Sequence, residues 1–189
     1  MRLAAGVAAA AAVVDLLVLG LLHAVSPEVD PVTRPVSEYA LGDFGWLATI
    51  RTLAQGIGPI ALAVALRRER VGALLLLVAG VLKLAMPLFP VDALGTPATS
   101  AGQMHNLLGN LTFFLFPVAA LVLFRPLRRR GSRLAPAVAV VLAIAMVGVL
   151  VADAVGGYGL AQRAYLALCA VWLLLAALAV LHDRRNTAR

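Results

Sequence analysis

Apolar residues in this chain come in long unbroken runs, without the alternation of a half-buried strand or the one-sided stripe of a soluble helix. Six runs stand out: Leu3 to Ala24, Phe44 to Leu66, Val71 to Phe89, Gln103 to Phe124, Leu134 to Val155 and Arg163 to Leu181. A helix that crosses a bilayer needs about 20 mostly apolar residues, and each run meets that length. The pattern predicts an all-α polytopic membrane protein, a six-transmembrane-helix bundle forming one membrane domain over 1–189. The first run begins like a signal peptide, with Arg2, but it carries Asp15, and no small-residue cleavage site follows His23. It reads as a retained helix.

Polar residues between the runs sort by sign. Arg67, Arg68 and Arg70 fill the second connection, Arg125, Arg128, Arg129, Arg130 and Arg133 fill the fourth, and Arg184, Arg185 and Arg189 follow the last run. Glu28, Asp30, Glu38 and Asp43 sit in the first connection and Asp92 in the third, with Arg34 their one basic companion. Basic residues collect on the cytoplasmic side of membrane proteins, so both termini are expected inside and the odd-numbered connections outside. The first connection, Val25 to Asp43, holds Pro27, Pro31 and Pro35 and is expected to form an ordered, non-helical cap.

Composition agrees: 62% of residues are hydrophobic and 13% charged, with mean hydropathy +0.97, against about 25% charged in an ordinary soluble domain. That excludes a soluble globule. The net charge of +7 follows from the loop arginines, which lack any nucleic-acid motif, so no nucleic-acid partner is expected. The single cysteine, Cys169, lies within the last run and reads as a small buried apolar residue.

Ionisable groups within the runs carry the functional signal, because each costs at least about 2.5–3.5 kcal/mol at the bilayer centre and normally faces the bundle interior. From the helical rise, Asp15 lies roughly 18 Å in from the cytoplasmic end, just past the midplane, with Lys83 at about the same level. Arg51 and Asn110 lie roughly 10 Å down from the outside, and His23, His105, Asn106, Asp153, Gln162 and Arg163 fall near the outer ends. Every helix contributes to the outer half, and the inner half has almost nothing polar. Arg51 with Gln55, and Asn106 with Asn110, are four apart and share helix faces. Pro87 and Pro59 each deprive a carbonyl one turn back of its bond, at Lys83 and Gln55, and kinks there would open a pocket at mid-depth.

Three site types fit. In the first, Arg51, Lys83 and Arg163 bind an anionic headgroup or carboxylate, Asp15, Asp153 and Glu38 position those cations, and Gln55 and Asn110 add polar contacts. In the second, His105, Asp92 and His23 perform acid–base or metal-assisted chemistry on a lipid or terpenoid, though no metal-ligand spacing signature accompanies them. Haem between His23 and His105 is a variant of that reading, and the cofactor stays unknown. In the third, Asp15 and Lys83 relay protons in a carrier, against which stands the apolar inner half. A plainly structural reading makes Asp15–Lys83 or Asp15–Arg51 an ion pair that sets helix register. Trp46, Tyr39 and Tyr158 read as interfacial belt residues, and membrane lipids are the expected partners.

The string from His23 through Ser26-Pro27-Glu28, Asp30-Pro31, Thr33-Arg34-Pro35 and Glu38-Tyr39, followed by Gly42 and Gly45-Trp46-Leu47, is similar to the bacterial membrane family called domain of unknown function 998. Phe89-Pro90-Val91-Asp92, His105 and Gly159-Leu160-Ala161-Gln162-Arg163 extend the resemblance over nearly the whole chain. The resemblance implies a six-helix protein of a bacterial membrane and assigns no chemistry.

Overall fold

A computed structural model describes residues 1–183; Arg184, Arg185 and Arg189 lie outside the described residues, as do the side chains of Asp153 and Ala154. Six helices are long and apolar enough to cross a membrane. They are α1 (Arg2–Val25), α2 (Gly45–Ala65), α3 (Arg70–Ala85, extended to Leu88 by a 3₁₀ turn), α4 (Ser100–Val122), α6 (Leu134–Ala154) and α7 (Tyr158–Leu181), with a short α5 (Phe124–Arg129) between α4 and α6. The protein is a multi-pass helical membrane protein.

Each crossing helix packs on the one before and the one after it, and α7 returns to α1, so the six close into a ring in chain order. Neighbours therefore run antiparallel. One end of the ring gathers Arg67, Arg68, Arg70 and the arginines of α5, and the other gathers Glu28, Asp30, Glu38, Asp43 and Asp92. We call these the arginine end and the cap end. At the arginine end Arg130 pairs with Glu69 at 3.1 Å and Asp183 at 3.6 Å, and Arg2 Nη2 donates to the carbonyl of Leu181.

Local sequence sets the helix ends. The Thr99 hydroxyl accepts the Gly102 amide, and Asp92 accepts both the amide and the hydroxyl of Thr99, so α4 starts at Ser100, three residues before the apolar run does. Pro87 has no N–H, and α3 tightens into 3₁₀ geometry there, the Met86 amide reaching the Lys83 carbonyl. That carbonyl, expected to be free, is thus occupied. Pro59 and Pro117 sit inside α2 and α4 without ending them. Where α2 crosses α3, a Cβ on Gly80 would stand 2.6 Å from the Gly56 carbonyl, so the crossing requires glycine.

The cap differs from expectation in one respect: residues Val36–Leu41 form a 3₁₀ helix within it. Pro35 precedes it in extended backbone, and Pro31 and Pro35 keep the rest of the loop out of an α-helix. Asp30 anchors the first bend through the Val32 amide at 2.9 Å and the Thr33 hydroxyl at 2.7 Å, which hold its carboxyl below the usual carboxylate range.

The arginine half of the ring is filled. Trp172 is fully buried with Phe116 edge-on at 5.4 Å, and leucines such as Leu62, Leu66, Leu123 and Leu142 close the space around them. Above them Phe113 stacks on Tyr165 at 4.6 Å, and the tyrosine hydroxyl donates to the Phe113 carbonyl. The cap half above this aromatic floor is hollow.

Candidate functional site

The hollow is a cavity of about 760 Å³, inside the range of small-molecule sites. α2 supplies Arg51 and Gln55, α3 supplies Lys83, α4 supplies His105, Asn106 and Asn110, and the cap supplies the roof through Val36, Ser37, Glu38 and Leu41. A narrow space of about 40 Å³ lies next to it, sharing Gln55, Lys83, Phe113 and Leu166 and reaching Asp15 and Cys169.

At the base of the cavity Asp15, 5% exposed, faces Arg51, 4% exposed. Arg51 Nε stands 2.8 Å from Asp15 Oδ1 without aiming its N–H at the oxygen, and Gln55 Nε2 donates to the same carboxylate at 3.2 Å. Of the two ion pairs considered from sequence, Asp15–Arg51 forms. Arg51 Nη2 is buried with no partner, and Lys83 makes no hydrogen bond or ion pair among the described residues. Two cations thus border the cavity beside this carboxylate, and Glu38 and Asp92 line it as well. Asn106 and Asn110, both exposed by surface area although Asn110 lies well inside α4, also have no partner among the described residues.

The other carboxylates named for the site brace the cap. Glu38, 3% exposed, accepts from Arg34 at 2.8 Å and from the Leu94 amide at 2.6 Å, tying the first cap-end loop to the second. Asp92 is occupied by Thr99, as described above. Asp153 lies outside the described side chains.

Arg163, expected to bind the anion, is absent from the cavity wall and staples the cap to α7. Its Nε donates to His23 Nε2 at 3.0 Å, Nη1 to the carbonyls of Arg34 at 2.6 Å and Gly159 at 3.0 Å, and Nη2 to the Tyr39 hydroxyl at 3.2 Å. The guanidinium also lies 5.3 Å over the Tyr39 ring. Gln162 joins in, its carbonyl oxygen accepting the Val36 amide at 2.7 Å and its amide donating to Tyr158. The Leu160 amide reaches the Val32 carbonyl, and a Cβ on Gly159 would stand 2.5 Å from the Arg34 carbonyl. The segment 159–163 is therefore the seat of the cap. Tyr39, expected at the membrane interface, is 1% exposed beneath this staple, whereas Trp46 is 59% exposed.

Of the three residues named for catalysis, Asp92 and His105 line the cavity and His23 does not. His23 accepts Arg163 at Nε2, so its proton sits on Nδ1, which donates to the Leu19 carbonyl at 2.7 Å, and neither nitrogen is free for a metal or haem. His105 Nδ1 lies 2.9 Å from the Phe89 carbonyl, which can only accept, leaving Nε2 as a buried acceptor without a partner. Among the described residues no group of three His, Cys, Asp or Glu stands close enough to hold a metal ion. What converges on the cavity is a guanidinium, an ammonium, the carboxamides of Gln55, Asn106, Asn110 and Gln162, one imidazole lone pair and the engaged carboxylates of Glu38 and Asp92.

Sequence reasoning put the cap and Glu38 at the site and passed over Val36, Leu41 and Phe113. Their signal was indirect: Phe113 lies three residues beyond Asn110, on the same face of α4.

Comparison with known proteins finds no match among curated proteins or among solved structures. The family model described as "Protein of unknown function (DUF998)" matches residues 9–179, which takes in the cap, its seat on α7 and every cavity-lining helix. The chain belongs to the DUF998 family.

Proposed function

We propose that this protein sits in a bacterial plasma membrane with both termini cytoplasmic and the cap outside, and that its cavity binds an anionic amphiphile, a lipid headgroup or an isoprenoid. The observation that carries the reading is the cation pair: Arg51 with a buried, unpartnered Nη2, and Lys83 with no hydrogen bond or ion pair among the described residues, with Asp15 the one carboxylate that pairs with either. A buried unsatisfied donor costs about 1–3 kcal/mol, more when charged, and a bound oxyanion removes that cost. Arg51 offers a planar fork and Lys83 a mobile point charge, a combination suited to phosphate or carboxylate. Glu38 and Asp92 also line the cavity, where Arg34 engages the one and Thr99 the other. Arg163 serves by holding the roof and Gln55 by holding Asp15. The arginines at one end of the ring support the orientation.

Native mass spectrometry of the gently solubilised protein tests this with phosphatidylglycerol and a polyprenyl phosphate as probes and phosphatidylcholine as the neutral control. Retention of the anionic probes is expected in the parent and lost in Arg51→Ala and Lys83→Ala, both still folded. Unchanged retention in both variants overturns the proposal. Lys83→Ala is the cleaner variant, since it breaks no pair among the described residues.

One observation favours a second reading, a membrane enzyme acting on the same class of ligand: the unshared Nε2 of His105 at the cavity wall is an available proton acceptor. Turnover of a lipid extract by the parent and not by His105→Ala supports it, and equal turnover by both rejects it.

A further inference from the structure

Resting on the anion-binding reading above, we infer that the cavity is loaded sideways from the surrounding lipid through the seam between α4 and α6. Its ligand is then a membrane lipid that leaves its hydrocarbon chain in that seam while its phosphate reaches Arg51 and Lys83.

Around the ring, α4 and α6 are the least closely packed of the neighbouring pairs. The cavity wall there is made of residues that also show on the outside of the bundle. Phe114 on α4 is 48% exposed and Leu150 on α6 is 57% exposed, and both line the cavity. A side chain that belongs to the wall and to the outer surface at once marks a mouth. The roof, by contrast, is tied down by Arg163, Gln162 and Glu38.

Chemistry along the seam follows the order of a lipid standing in a leaflet. Asn106, Asn110 and Phe114 repeat every four residues, so they form one stripe on α4, descending about 6 Å per step from the cap end. The two carboxamides come first and the aromatic ring follows, with Leu150 across from them. Hydrocarbon cannot satisfy an exposed carboxamide, and neither asparagine has a partner among the described residues. A phosphate with its glycerol and ester oxygens satisfies both, and an acyl or prenyl chain lies against Phe114. The level also agrees, since Arg51 lies about 9 Å below the start of α2 and Asn106 about 9 Å below the start of α4. A water-soluble anion would use none of these apolar walls.

The protein in phosphatidylcholine nanodiscs separates the two sources of phosphate. Phosphatidylglycerol is expected to bind at least about tenfold more tightly than its deacylated headgroup, glycerophosphoglycerol, because the chain adds apolar burial. Leu150→Trp enlarges a side chain at the mouth without touching the charged groups, and is expected to weaken phosphatidylglycerol by about tenfold while leaving the deacylated headgroup unaffected. If the headgroup binds as tightly as the lipid, or Leu150→Trp leaves lipid binding unchanged, the lateral route is overturned and the anion site stands. If neither probe binds the parent protein, both readings fall. Should Leu150→Trp not fold, Phe114→Trp serves as a reporter: stronger quenching by chain-brominated phosphatidylglycerol than by equally brominated phosphatidylcholine supports the route, and equal quenching overturns it.

Discussion

Replacing Arg163 by methionine keeps the length of the side chain and removes every donor. Three acceptors then lose their partner: the Arg34 carbonyl, His23 Nε2 and the Tyr39 hydroxyl, whereas the Gly159 carbonyl keeps its helical bond. Each buried orphan costs about 1–3 kcal/mol, and rearrangement of the loop recovers part of the total, which leaves about 3–5 kcal/mol. For a chain of this size 1 kcal/mol moves Tm by about 2–4 °C, so the shift expected is about 6–20 °C downward. Thermal unfolding in detergent, followed by the emission of fully buried Trp172, measures it. The loss is also local, so proteinase K should cut within residues 26–44 of the variant before the helices melt. Gly159→Ala should give the same cap-specific cleavage by a different cause, a methyl group driven against the Arg34 carbonyl. A Tm within about 2 °C of the parent and an uncut cap in Arg163→Met would refute the staple.

Two further outcomes follow from the geometry. Asp15→Ala and Arg51→Met each strand one member of a buried pair and are expected to cost about 3–5 kcal/mol, while the double variant costs less than either; thermal unfolding of all three decides it, and additive losses would refute the pairing. Asp30, held below the usual carboxylate range by the Val32 amide and the Thr33 hydroxyl, contributes to cap stability above that range and loses the contribution as pH falls through its lowered value. Carbon-13 NMR of its carboxyl should show the titration below the usual range, and a midpoint at or above it would remove the Asx bend from the account.

The number of helices was legible because span length is a property of one run at a time. Helix starts were less so. Arg163 was taken as the edge of the last run because of its charge, yet α7 begins at Tyr158, and the charge is tolerated a turn inside because carbonyls of the cap and of α7 itself receive it. Likewise Asp92 and Thr99 lengthen α4 through a cap that hydropathy does not register. Within the site, the gathering of polar groups in one half was readable from spacing and depth, and so were Arg51, Lys83, Gln55 and Asn110 as its wall. Which of the other charges face inward was not. That depends on how each helix is rotated and on backbone acceptors such as the Arg34 and Phe89 carbonyls, which have no signature in residue type.

The cap and its seat lie far apart in the chain, with hydrogen bonds spanning 129 residues from Arg163 to Arg34 and 140 from Arg163 to His23. During synthesis the cap segment emerges after the first helix and waits until the last helix has been threaded. Until then Tyr39 and Glu38 are uncovered, and the polar faces of α2, α3 and α4 have no common roof. A ribosome stalled before α7 leaves five crossing helices with an open ring, a species with carboxamides and cations facing lipid and a loose loop outside the bilayer. The cap can therefore reach its last hydrogen bonds only once α7 has been made.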